Sequence, residues 1–292
     1  MDVVISRDGL RLSLLPQLGG SVRAFTWHGQ DILYPAAAPV PVSPLNTAGF
    51  PMFPFSGRIN GGRFQWHGKD VALRPNFAPE AHAIHGQAWL EPWTVAALEP
   101  DAVRLSYEHG GDDWPWRYRA IQDFKLLEDG LCLTLTLENL SDTPMPAGLG
   151  WHPYFPRGDA VLKANVSGIW TADSGMIPDR VSPLGPGTDL REPVEVDSLS
   201  LDNAFTAAPA DATIDWPGAG IRVRMKSSGG LGHLIVYVPP NQDFFCVEPA
   251  SHAPDALNST RGADVTGIRE IGPGGAMSEE IRLQISRISA GA

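Results

Sequence analysis

The chain is short of cysteine, of positive charge and of long apolar runs. Two cysteines occur in 292 residues, Cys132 and Cys246. Disulfide-dependent secreted scaffolds are small and Cys-dense, and this chain is neither, so free thiols are favoured over a bridge. Each cysteine lies in an alternating, strand-like run, residues 130–137 and 243–248, and both read as buried free thiols. Twenty-two Lys and Arg face 33 Asp and Glu, a net charge of −11, with no basic cluster. Gripping a phosphate backbone needs such clusters, so nucleic acid is not an expected partner. No window approaches the roughly 20 apolar residues of a membrane helix. The opening segment, Met1 to Asp8, lacks the basic and apolar regions of a signal peptide. These features predict a cytoplasmic protein that does not enter a membrane.

Chemical signatures are scarce as well. There is no G-x-S-x-G elbow, no P-loop, no H-E-x-x-H and no paired C-x-x-C. Gly272-Pro-Gly-Gly275 has no following Lys and reads as a turn. Neither a nucleotide cofactor nor a structural zinc is expected, and the site residues below are read without a metal.

What is abundant is glycine, 31 residues, and proline, 27. That density breaks long helices and punctuates short strands. Period-two alternation marks strands at 10–15, 102–107, 131–137, 221–225, 234–238, 244–247 and 281–285. Leu131, Leu133, Leu135 and Leu137 share one face, with Thr134, Thr136 and Glu138 on the other. No amphipathic helix exceeds two or three turns. Ala36 to Pro44 reads as an extended surface loop, too short to separate domains. Many short strands with frequent turns predict an all-β chain, a large antiparallel β-sandwich forming one domain over residues 1–292.

Five segments place a polar residue among aromatics and glycines. In Phe53-Pro-Phe-Ser-Gly-Arg-Ile-Asn60, Arg58 offers a fixed fork of donors suited to hydroxyls or a carboxylate; a surface arginine capping a hairpin is the competing reading. In Ala83-Ile-His-Gly-Gln87, Gly86 allows close backbone approach beside His85, which could instead be a core histidine. In Gly148-Leu-Gly-Trp-His-Pro-Tyr-Phe155, His152 sits among three aromatics; an imidazole can give and take protons near neutrality, and a structural histidine in an aromatic cluster is the competing reading. Asp202, in Leu199-Ser-Leu-Asp-Asn-Ala-Phe205, could accept from hydroxyls or simply start a loop. In Phe244-Phe-Cys-Val-Glu-Pro249, alternation puts Phe244, Cys246 and Glu248 on one face, and Pro249 is expected to end the strand. A glutamate closing so apolar a strand should be desolvated, which raises its pKa and makes it a better base near neutrality; a strand-end glutamate facing water is the competing reading. The remaining histidines, 28, 67, 82, 109, 233 and 252, read as surface or loop residues, with His252 placed at a pocket rim.

Taken in order, these segments resemble the aldose 1-epimerase (galactose mutarotase) family. So do Gly19-Gly20, Gly29-Gln-Asp-Ile-Leu-Tyr34, Gly62-Arg-Phe, Trp66-His-Gly68, Trp114-Pro-Trp-Arg-Tyr118 and Glu138-Asn-Leu-Ser-Asp142, so that the resemblance runs from about Val3 to Leu283. It implies the mutarotase supersandwich and a cofactor-independent interconversion of sugar anomers. It further implies Glu248 as the base at O1, His152 as the acid at the ring oxygen, and His85, Asp202 and Arg58 as holders of hydroxyls. Trp89 and Trp151 are the sugar-stacking candidates. The expected partner is a small monosaccharide, bound by a monomer or homodimer. Three rivals remain: a non-catalytic sugar-binding module, a metal-dependent sugar enzyme using His85, His152 and Glu248, and a phosphosugar epimerase, which would need a cationic clamp.

Overall fold

A computed structural model describes residues 2–36, 43–171 and 177–288. Most of the Ala36 to Pro44 stretch, residues 37–42, lies outside them. Strand accounts for 53% of the chain and helix for 5%, as the alternation and the Gly/Pro density predict. One four-residue turn, Ala263–Thr266, is the α-helix among the described residues.

The strands that build the two layers are β1 (Val3–Arg7), β2 (Leu10–Leu15), β3 (Ser21–Trp27), β4 (Gly49–Met52), β5 (Thr94–Leu98), β6 (Ala102–His109), β7 (Tyr118–Leu127), β8 (Gly130–Asn139), β9 (Gly150–Pro156), β10 (Val161–Thr171), β11 (Asp202–Trp216), β12 (Ile221–Ser227), β13 (His233–Tyr237), β14 (Phe244–Ala250) and β15 (Ala276–Arg287). All their mutual pairings are antiparallel. One layer runs β1-β2-β3-β4-β9-β14-β13 and ends on the first half of β11. The other begins on the second half of β11 and runs β12-β15-β8-β7-β6-β5.

The layers are joined by strands that turn the corner. Residues 202–206 of β11 pair with β13, and residues 212–216 pair with β12. β10 follows β11 round the bend, with register shifts between Ala164 and Val166 and between Val166 and Gly168. Such irregularities bend a strand and let it change sheets. The sandwich is therefore one hydrogen-bonded sheet folded on itself. A single apolar cluster fills it, from Ile5 and Leu12 through Leu133 and Phe155 to Phe245 and Ile285.

Each run marked by alternation lies in a strand, although 234–238 is shifted by one residue. Three expectations fail. β14 passes through Pro249, which sits opposite Leu234, and ends at Ala250. A proline forfeits only its own N–H, and the flanking pairs hold the strand. The second is a strand that alternation does not reveal, β11. Its sequence is rich in Ala and Asp and holds Pro209 at the bend, so its β-propensity is low. The third concerns histidine: His109, His233 and His252 are buried rather than at the surface.

Leu133 has no exposed surface and stands between Phe124 of β7 and Ile281 of β15. Leu133→Ala should lower unfolding free energy by about 2–5 kcal/mol, read as a fall in the denaturation midpoint at constant m-value. A change below 1 kcal/mol would mean the centre of this layer repacks freely.

Candidate active site

The layer containing β4, β9, β14, β13 and β11 has one face on the core and one face outside it. Register decides which side chains meet on the outer face. Gly150 pairs with Ala250 and Tyr154 with Cys246, which sets His152 across from Glu248. On the far side of β9, His152 pairs with Phe50; on the far side of β14, Glu248 pairs with Ile235, which pairs with Ala204. The next row along is Tyr154, Cys246, Tyr237 and Asp202. These residues share a face because strand side chains repeat with period two. Over them lies a cavity of about 450 Å3, lined among others by Arg58, His85, His152, Asp202 and Glu248. That is within the range of roughly 300–1,000 Å3 common for small-molecule sites.

His152 Nε2 and Glu248 Oε1 are 3.2 Å apart. Both residues are more than nine-tenths buried. Burial holds the Glu248 carboxyl well above the usual carboxylate range; the negative charge of Asp202 adds to this and the Arg58 guanidinium opposes it. Burial likewise pushes His152 down to about 3. Both directions disfavour the charged form of each group. Groups this close titrate as a pair. His152 lies against Phe50, with ring centroids at 4.5 Å, and against Tyr154, at 4.8 Å. Two rings thus fix the plane of the imidazole.

Arg58 and His85 come from a short ribbon outside the main layers, in which Arg58–Ile59 pairs with Ala83–Ile84. The His85 N–H donates to the Gly57 carbonyl at 2.9 Å, and the Gly57 N–H donates to His85 Nδ1 at 3.1 Å. Accepting at Nδ1 leaves Nε2 as the protonated donor of a neutral ring. Burial keeps His85 neutral, aided by the nearby His152 and Arg58. Gly86 makes this loop possible: it has φ +72°, and a Cβ there would stand 1.7 Å from the Phe53 carbonyl oxygen. Arg58 is held by Glu80, Nη2 to Oε1 at 3.0 Å and Nε to Oε2 at 3.3 Å. The same contact holds the Glu80 carboxyl below its ordinary range. Asp202 opens β11 at the cavity edge, exposed on one side; partial desolvation raises its carboxyl, the Arg58 guanidinium opposes this and Glu80 adds to it.

The two tryptophans expected to stack on a sugar do not line the cavity. Trp151 precedes His152 on β9, and alternation turns it into the core, where it is fully buried. Trp89 lies behind the site: its ring stacks on Phe50 at 5.2 Å and meets the edge of His85 at 6.1 Å, while Nε1–H donates to the Gly86 carbonyl at 3.0 Å. Aromatic faces at the cavity come instead from Tyr154, Trp170, Tyr237, Phe244 and Phe77. Tyr154 was within reach of sequence reasoning, two residues beyond His152 on one strand. Tyr237 and Trp170 required the strand register, and Glu80 had no signal at all. His252 is not at the rim: it lies under Gly148, accepts from the Ser56 N–H at 3.1 Å and donates from Nδ1 to the Ala253 carbonyl at 2.7 Å. It fastens the segment that leads to Arg58. Among the described residues one set of donors is close enough to share an ion, His152, Cys246 and Glu248; His85 is not part of it.

The family model for aldose 1-epimerase matches residues 1–281. The uncharacterised protein YphB of Escherichia coli K12 is 29% identical over 290 residues, covering 96% of this chain and 97% of YphB. A solved E. coli K12 structure, provisionally assigned as an aldose 1-epimerase, superposes with a TM-score of 0.89 at 28% identity, covering 98% of this chain and 99% of that one. A galactose mutarotase-like protein from Clostridium acetobutylicum has the same fold, with a TM-score of 0.91 at 20% identity and coverage of 98% and 95%.

Gly86→Ala should unseat His85, because the added methyl meets backbone and the left-handed φ is strained for alanine. Its stability should fall by more than 1 kcal/mol in a denaturant melt, and the His85 ring resonances should shift. Unchanged stability and unchanged resonances would show that the loop is free to move aside.

Proposed function

We propose that this chain, which belongs to the aldose 1-epimerase family, interconverts the α and β anomers of a free aldose, with residues 1–292 acting as one catalytic domain. The observation that carries the reading is the buried pair of Glu248 and His152, 3.2 Å apart and lining a cavity together with Arg58, His85 and Asp202.

Anomer exchange requires one proton to leave O1 and one to reach the ring oxygen O5. In the proposed cycle Glu248 takes the O1 proton while His152 delivers a proton to O5, and the C1–O5 bond breaks to give the aldehyde. Rotation about C1–C2 and reversal of both transfers yields the other anomer. The proton count of the pair is one at each stage: Glu248 gains what His152 loses. Because Nε2 and Oε1 are in contact, the resting proton can pass to His152 before the sugar separates them. No hydride moves, so the cycle calls for no redox cofactor. His85 Nε2–H, Asp202 and Arg58 are the proposed holders of the remaining hydroxyls, and the aromatic rim offers faces for the C–H side of the ring.

The charge around the cavity favours a neutral sugar over a phosphosugar. Arg58 is the one cation among the described lining residues, and Glu80 already occupies two of its nitrogens. A phosphate would meet the Asp202 carboxyl and a guanidinium whose charge Glu80 already balances. A purely sugar-binding module has no use for a desolvated acid–base pair, whose burial is costly.

The test is to add the protein to freshly dissolved α-D-glucose, α-D-galactose, xylose and arabinose and follow anomer exchange by polarimetry or NMR. At least one should equilibrate faster than in buffer, whereas glucose 6-phosphate should not. Glu248→Gln and His152→Ala should each slow the exchange by about 10²–10⁴-fold. If no free sugar responds, the isomerase reading fails; full rate in either variant removes that residue from the mechanism.

Glu80→Gln tests the arginine. Without the carboxylate, Arg58 must be ordered by the sugar itself, at about 0.5–1.5 kcal/mol. KM should rise about two- to tenfold with kcat nearly unchanged. A fall confined to kcat would mean Glu80 acts on the proton transfers instead.

A further inference from the structure

The geometry points to a binding site for a thiophilic divalent cation, Zn²⁺ above all, made by His152, Cys246 and Glu248 beneath the cavity. One ligand atom from each lies within 4.8 Å of the others, and all three residues are buried. In a tetrahedral zinc site with Zn–N and Zn–O of about 2.0–2.1 Å, the N and O atoms stand about 3.3 Å apart. His152 Nε2 and Glu248 Oε1 are already at 3.2 Å. Cys246 Sγ lies within 4.8 Å of both, at most a little over an ångström beyond the spacing of a thiolate and its co-ligands on one zinc.

The scaffold is set for this. Cys246 and Glu248 are alternate residues of β14, and His152 faces Glu248 from β9. Both strands are flanked, by β4 on one side and β13 on the other, so the three donors cannot drift apart. Imidazole, thiolate and carboxylate suit zinc and other borderline cations, whereas Mg²⁺ and Ca²⁺ need more oxygen ligands than are present. Three protein ligands leave a fourth position. It opens on the cavity, because His152 and Glu248 line it. Cys246 does not line the cavity and has no part in the proton transfers, so the proposed reaction leaves its thiol unused.

Coordination is an acid–base event with no electron transfer. The metal bonds to the Cys246 thiolate, the Glu248 carboxylate and the His152 nitrogen, and each proton that the thiol, carboxyl or ligating nitrogen carried passes to solvent. The atoms that move protons are then occupied, so zinc excludes the sugar and inhibits. That consequence rests on the function proposed above; the binding itself does not.

Co²⁺ is the probe, added to the chelator-treated full-length chain, because a thiolate ligand produces a near-ultraviolet charge-transfer band. The band should appear in the wild-type protein and in Cys132→Ser, and vanish in Cys246→Ser. Titration calorimetry with ZnCl2 should show one site, weakened at least about 10–100-fold in Cys246→Ser. That variant should keep metal-free anomer exchange and resist zinc inhibition. Cys246→Ala replaces it if serine destabilises the strand. Absence of the band in wild type, or its persistence without Cys246, overturns the site. The two readings fail separately: anomer exchange in chelator-treated protein tests the isomerase, and the cobalt band tests the metal site.

Discussion

The register between β9 and β14 is the constraint on which the site depends. It sets His152 across from Glu248 and brings two proton-carrying atoms to 3.2 Å. A shift of one residue would turn every side chain of the moved strand to the opposite face. The imidazole would enter the apolar core and Trp151 would enter the cavity. The register is locked because the core face of both strands is filled by Trp151, Phe155, Phe245 and Val247. Packing on one face therefore determines the chemistry of the other.

Desolvation then sets the electrostatics. The layer lies under loops and ribbons held by their own hydrogen bonds: the reciprocal pair between Gly57 and His85, the two contacts of Glu80 on Arg58, and His252 under Gly148. Beneath this cover, burial raises the glutamate and lowers the histidine. Arg58 moderates the rise, Asp202 adds to it, and Glu80 limits how much positive charge the cavity can offer.

Much of the fold was legible in the residues themselves. Alternation at 131–137 and its counterparts marks strands because a half-buried strand must alternate, and the glycine and proline content leaves no room for long helices. The corner strands were not legible. β11 owes its strand conformation to its partners β10, β12 and β13, not to its own composition. His109, His233 and His252 were misread for a related reason: burial depends on what folds over a residue, and no local pattern records that.

For the site, the sequence alone supplied the chemical types. It marked a glutamate on an apolar strand, a histidine among aromatics and glycines, an arginine in a tight turn, and Gly86 beside His85. All five candidate polar residues line one cavity. Only the tertiary structure decided which groups touch: that Glu248 meets His152, that Glu80 holds Arg58, that Cys246 stands beside the pair, and that Tyr154 and Tyr237 rather than Trp151 and Trp89 face the cavity. The physical reason is that strand periodicity is a local property readable along one chain segment. Register and cover are agreements between segments tens to hundreds of residues apart, and only packing enforces them.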